Sequence, residues 1–219
     1  MNKKTLTSIT LSLILVFEIN THGISQSKGK DFEGLIHYQY TYVSDKLNQD
    51  SLNQGKDNEG IYFWKKGSYK GSLTGGDGNL FIYNSWDNRC YYSNNSNLQG
   101  YFYCMDYRQS TDTLLSVEII NTNEKILGEV CDLLIIKTPQ YTSKYYFSKR
   151  YRVDPSYYKE HKAYLWDILM EKTNGGAILK SITEYKDYKF EATATKIELK
   201  ELDDKEFKVD GLKIISECN

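Results

Sequence analysis

Residues Glu33 to Val43 read EGLIHYQYTYV, and in them Ile36, Tyr38, Tyr40 and Tyr42 recur with a period of two while His37, Gln39 and Thr41 take the alternate positions. Successive side chains of an extended chain point to opposite faces, so this pattern predicts a half-buried strand with an aromatic inner face. Downstream, short apolar runs repeat: Ile61 to Lys65, Ser68 to Leu73, Leu80 to Tyr83, Cys90 to Ser93 and Gln99 to Met105. They are separated by Lys66-Gly67, by Gly75-Gly76-Asp77-Gly78, by Asn84-Ser85-Trp86-Asp87-Asn88 and by Asn94-Asn95-Ser96-Asn97. Such residues accept left-handed backbone angles or hydrogen-bond their own amides, so the rhythm predicts a meander of antiparallel strands.

The meander continues through Leu114 to Ile120, Val130 to Thr138 and Lys144 to Lys149, then through Ile178 to Tyr185, Lys189 to Glu201 and a short Glu206 to Val209. Between the two groups, Asp154-Pro155 signals a helix start and Asn174-Gly175-Gly176 a stop. One helix is predicted from about Pro155 to Lys172, with Tyr158, His161, Leu165, Ile168 and Leu169 along the stripe that faces the sheet. Ser44 to Gly60 lose all periodicity and fill with polar residues, which predicts a mobile loop or a weak edge hairpin.

Upstream, Lys3 and Lys4 precede the apolar run Leu6 to Phe17, which is short for a bilayer span and fits a secretory signal peptide over residues 1–25. An uncleaved anchor is the alternative. With no cysteine near the cut to carry a lipid, the expectation is an exported product, periplasmic or extracellular, soluble after cleavage and without a stable transmembrane span. Residues 26–219 then form one domain, a normal size for a single core.

Over the whole chain 28 basic residues meet 29 acidic ones, so no field draws nucleic acid, and nucleic acid is excluded as a partner. Twenty tyrosines and eight phenylalanines against two prolines favour aromatic strands. The four cysteines, Cys90, Cys104, Cys131 and Cys218, all follow the signal, and an oxidising compartment makes each a disulfide candidate. The preferred pairing joins Cys90 to Cys104 across the Asn-rich turn, for about 3 kcal/mol, and Cys131 to Cys218, for roughly 4 to 5 kcal/mol. The other two connectivities and free thiols stay open.

Chemistry is sparsely signalled. No Cys-x-x-Cys occurs, and only His37 and His161 follow the signal, which speaks against a zinc centre or a histidine-based hydrolase. Both histidines read as structural. The Gly71 to Gly78 stretch lacks the lysine of a phosphate loop and reads as a hairpin turn. Catalytic residues, cofactor and metal are therefore set at none. An envelope hydrolase would need two facing carboxylates, for which Glu184 and Glu191 are the candidates on strands that border the interior.

Three segments carry a resemblance: Glu33-Gly34-Leu35-Ile36, Lys125-Ile126-Leu127-Gly128-Glu129-Val130-Cys131, and Ala192-Thr193-Ala194-Thr195-Lys196-Ile197 followed by Leu202 to Val209. In them the chain resembles exported Bacteroidetes proteins of the DUF4412 and GLPGLI type, which are similar in fold to the lipoprotein carriers LolA and LolB. The resemblance implies a mainly β (α+β) fold, a strongly curved antiparallel sheet forming an open half-barrel wrapped around one main helix, here Pro155 to Lys172. It also implies an apolar concavity. No basic or aromatic latch of the carriers is matched by position.

The ligand-binding candidates are the aromatic residues of the strand faces, Tyr38, Tyr40, Tyr62, Trp64, Tyr101, Tyr103, Tyr145 and Phe147, with Trp166 on the helix as a seal or gate. Plain core packing is the competing use of the same rings. The expected function is a non-catalytic binding or carrier protein for an apolar ligand, its partner a lipid or an acylated envelope protein, with oligomeric state open. The alternative is a cell-surface structural or adhesion protein that meets proteins or glycans through Trp86, Tyr91 and Tyr92.

Overall fold

The computed structural model describes residues 31–93, 101–110 and 112–218. The expected signal peptide and the Asn94 to Asn97 turn lie outside the described residues. Among the described residues twelve strands form one sheet. The first six are β1 (Gly34–Val43), β2 (Glu59–Lys65), β3 (Ser68–Thr74), β4 (Leu80–Asn84), β5 (Arg89–Ser93) and β6 (Tyr101–Asp106). The others are β7 (Ser116–Ile126), β8 (Glu129–Lys137), β9 (Tyr141–Arg152), β10 (Gly176–Tyr185), β11 (Lys189–Leu199) and β12 (Lys213–Ile214).

Their spatial order is β12-β6-β5-β4-β3-β2-β1-β11-β10-β9-β8-β7, an open sheet with β12 and β7 at its edges. Every pairing is antiparallel except the short β12–β6 contact. Two hairpin meanders, β1 to β6 and β7 to β11, are therefore joined by the non-local ladder β1–β11. Gly34 is what lets that ladder form at its end, because a Cβ there would lie 1.9 Å from the Glu198 carbonyl oxygen. A bulge between His37 and Tyr38 leaves Thr195 unpaired on β11.

The segment between β9 and β10 departs from expectation. In place of one helix there are a 3-10 turn at Pro155–Tyr158, a second at Ala163–Leu165 and a short helix, Trp166–Lys172. The reason lies in the backbone. The amides of Lys162 and Ala163 donate to the Tyr107 carbonyl at 2.7 and 3.2 Å, so they are withdrawn from any helical ladder. Tyr164 and Leu165 then take left-handed φ values of 58° and 55°. The start and stop signals nevertheless act as expected. Asp154 accepts from the Ser156 amide, and the chain leaves the helix by a Schellman arrangement in which Gly175 donates to the Met170 carbonyl at 2.8 Å.

This segment covers one face of the sheet. Tyr158, His161, Leu165 and Leu169 are all buried, with Tyr158 packed on Tyr83 of β4 and Leu165 and Leu169 clustered with Leu134 and Ile136 of β8 and Phe147 of β9. Strands far apart in the sheet thus share one cover, but no single dominant helix is wrapped.

The opposite face of β2 to β6 carries a cover that the sequence reading did not foresee. Residues 200–218 run across it as a strap, burying Leu202 and Phe207 against Leu35 and Ile82. The expected strand at Glu206 to Val209 is instead a 3-10 turn, Asp204–Phe207, capped by Asp203. Lys65 pairs with Asp204 at 2.7 Å and Lys70 with Glu206 at 2.6 Å. The polar stretch after β1 also gains structure, a short helix at Gln49–Asn53 capped by Asn48.

The disulfide joins Cys104 to Cys218 and fastens the strap, while Cys90 and Cys131 are free and buried. The preferred pairing fails on register. Cys104 lies opposite Tyr91, whereas Cys90 lies opposite Met105, and a one-residue offset sends two side chains to opposite faces of a sheet. Cys90 faces the core under the helical cover and Cys104 the strap.

Candidate functional site

The inner face of β1 meets that of β2, β9, β10 and β11 beneath Trp166 and Met170, and an apolar cavity of about 160 Å³ remains there. Six of the nine candidate residues border it: Tyr38, Tyr40, Tyr62, Trp64, Tyr145 and Trp166. The other three are elsewhere. Phe147 is buried beside the cavity in the cluster with Leu134 and Leu169. Tyr101 and Tyr103 lie on the same face of the sheet, yet on β6, five places from β1, where they are 61% and 40% exposed. Tyr103 stacks there on Tyr92 at 5.2 Å.

Residues not among the nine candidates complete the lining, the aromatic Phe32, Tyr151 and Phe190 among them. Ala177, Ala192 and Gly176 leave the room that larger side chains would fill, and Ile36, Ile178 and Phe190 supply further apolar wall. Ala192 was legible as part of the alternating Ala192, Ala194 pair, but small residues mark a cavity only once the facing strands are known.

Polar groups at this cavity are few. The Tyr38 hydroxyl donates to the Ile178 carbonyl at 2.6 Å, tying β1 to β10 across β11. Burial pushes the Tyr38, Tyr40 and Tyr62 hydroxyls up from the usual phenol range, so all three stay neutral. The Trp64 and Trp166 rings stack 6.3 Å apart at 14°, and each indole N–H is buried with no acceptor among the described residues. Arg152 stands at the border with its side chain exposed, its Nε donating to the Asn174 carbonyl at 3.1 Å.

The residues weighed for catalysis are placed apart from this cavity. Glu184 pairs with Lys144 at 2.8 Å and Glu191 with Lys180 at 3.0 Å, and neither borders it. His37 bonds Glu198 at 2.7 Å. His161 is 1% exposed, with Nε2 at 2.9 Å from the Tyr69 hydroxyl, inside a cage of Tyr69, Tyr83, Tyr107 and Trp166. Burial holds its imidazole down at about 3. Burial likewise pushes the Cys90 thiol up to about 12 and the Cys131 thiol up to about 11. Among the described residues no group of three or more His, Cys, Asp or Glu side chains is arranged to hold a metal ion.

No family model matches the chain, and no curated protein matches it in sequence. Two crystal forms of PNGF-II align over 85% of this chain, at 18% and 12% identity and TM-scores of 0.48 and 0.47. The chain spans only about a third of the length of that protein, 31% and 32% in the two forms. The Mycobacterium tuberculosis lipoprotein LppX aligns over 78% of this chain and 89% of its own, at 11% identity and a TM-score of 0.37. Likenesses of this order carry no functional argument, which rests instead on the geometry of the cavity. No helix among the described residues is long and apolar enough to cross a membrane.

Proposed function

We propose that this chain is an exported, non-catalytic binding or carrier protein that takes an apolar ligand into the cavity beneath Trp166. The observation that carries the reading is the cavity itself, walled by Tyr38, Tyr40, Tyr62, Trp64, Tyr145 and Trp166 with almost no polar surface. Its size sets the ligand. A void of about 150 Å³ takes one benzene ring, and whole small-molecule sites run to roughly 300–1,000 Å³. The resting cavity of about 160 Å³ therefore suits one ring or the end of one alkyl chain.

A longer tail enters by lifting the cover. Tyr164 and Leu165, directly before Trp166, hold left-handed angles that cost non-glycine residues energy, a strain that lifting the cover relieves. The two acceptor-less indole N–H groups favour a ligand with an oxygen near its apolar end, such as an ester or acid carbonyl. A lipid or an acylated envelope protein meets both requirements. The DUF4412 and GLPGLI kinship suggested by Glu33 to Ile36 and Lys125 to Cys131, the signal peptide over residues 1–25 and the single domain over residues 26–219 belong to the same reading.

Titration of delipidated protein with a fluorescent fatty acid tests it. Saturable binding is expected in the native chain and its loss in Ala192→Phe, whose ring fills the void while the chain stays folded. A folded, delipidated chain that binds no probe, or an Ala192→Phe variant that binds as well as the native one, overturns the reading.

A further inference from the structure

The face that carries the strap holds a second and larger cleft, of about 450 Å³, between the β2–β3 turn, the β4–β5 turn and residues 204–210. That volume falls within the range of small-ligand sites. The two turns are fastened to each other: the Ser85 amide donates to Ser68 Oγ at 3.1 Å, and Ser85 Oγ donates to the Lys66 carbonyl at 3.0 Å. The walls are thus built before any ligand arrives.

Asn84 lies in the lining of this cleft, fully buried, and neither its amide nitrogen nor its amide oxygen has a partner among the described residues. A buried amide left unpaired at both ends opposes folding, and a partner from outside the chain, a water or a bound molecule, relieves it. At the lip stands Trp86, 68% exposed, an unusual position for the largest apolar side chain. The charges around them balance: Lys65, Lys66 and Lys208 face Asp87, Asp204 and Asp210, and Lys65 is already engaged by Asp204. No net field favours an anion or a cation.

An amide that must both donate and accept matches a hydroxyl group, which does both, and a solvent-facing indole offers a flat apolar plate. Hydroxyls beside a flat C–H face, without net charge, describe a sugar ring. We propose that this cleft binds a neutral saccharide, at a site independent of the apolar cavity. Trp86 stacks on its face, and the Asn84 amide, closed to solvent in the free chain, turns into the cleft to meet its hydroxyls.

Calorimetric titration with neutral hexasaccharides of glucose (cellulose-, maltose- and laminarin-type) and of N-acetylglucosamine, beside an oligogalacturonate as the charged contrast, tests the assignment. Saturable binding of at least one neutral oligomer is expected, with affinity reduced at least about tenfold in Trp86→Ala. Asn84→Leu is expected to lose the same affinity while its melting temperature stays at or above that of the native chain, since the unpaired amide is removed. Absence of binding by every neutral oligomer, binding of the charged oligomer alone, or native affinity in Trp86→Ala overturns the proposal. So does a lowered melting temperature in Asn84→Leu, which would make that amide a part of the fold. Trp86 is a surface residue, so its variant reads the stacking contact in a folded chain.

Discussion

At the scale of single residues, burial decides the chemistry. Cys90 and Cys131 are both buried, and burial raises both thiols, so their thiolate fraction near neutral pH is small and their reactivity low. The native chain is predicted to show no fast-reacting thiol towards a disulfide reagent, and two after unfolding without reductant; four after unfolding would contradict the Cys104–Cys218 bond. His161 makes the second prediction. Its folded-state pKa of about 3 lies below the unfolded value of about 6.5, so between these values the unfolded chain binds the extra proton. The stability due to neutral burial is complete above pH 6.5 and falls as pH drops toward 3, by about 2–3 kcal/mol at pH 4.5. Chemical unfolding at pH 7 and pH 4.5 is expected to show this loss in the native chain and a distinctly smaller one in His161→Gln.

At the scale of elements, local pattern and tertiary demand part company in an instructive way. The period-two pattern of Ile36, Tyr38 and Tyr40 reads directly as the inner face of β1, and the hairpin strands β2 to β5 are legible from their turns. Of the expected stripe, Tyr158, His161, Leu165 and Leu169 are buried and Ile168 half-buried, yet the element beneath it is broken. The Tyr107 carbonyl takes the amides that a helix would have used, and no sequence pattern announces a bond between segments so far apart. Tyr164 bears the consequence in its left-handed φ of 58°. Since its ring is 60% exposed, Tyr164→Gly is predicted to raise stability by about 1 kcal/mol in denaturant titration; a loss would show that the Tyr107–Tyr164 edge contact outweighs the strain. Gly34→Ala is predicted to act oppositely. Its Cβ has no room against the Glu198 carbonyl, so a loss of more than about 2 kcal/mol is expected, read as lost amide protection along β1 and β11.

At the scale of the whole molecule, the sheet has two covers, the broken helical segment on one face and the strap on the other. The strap is tied by a bond between residues 114 apart in sequence, and closing so long a loop contributes roughly 5 kcal/mol in the chain-entropy account. Paired Cys104→Ser and Cys218→Ser substitution is predicted to lower stability by several kcal/mol and to expose the amides of residues 200–218 to exchange, while those of β9 to β11 stay protected. The strap was not legible because Phe207 and Val209 have strand spacing while Leu202 and Leu212 follow no period with them, and the segment crosses the sheet in place of pairing along it. The aromatic faces were readable, but which rings border the cavity was not, since that depends on β1 pairing with β11 across most of the chain. Tyr101 and Tyr103 share the face of Tyr38 but lie on β6, five strands away along the meander.

The claim that the apolar cavity is a ligand site is tested most directly by native mass spectrometry of protein purified gently from its own source, beside a denatured sample of the same preparation. The account predicts a mass excess in the native sample that vanishes on denaturation and is identified as an acyl-bearing lipid, and predicts its loss in Ala192→Phe. An unchanged mass in both samples, in a chain that also binds no added fatty acid, would contradict it and leave the rings around Trp166 as core packing.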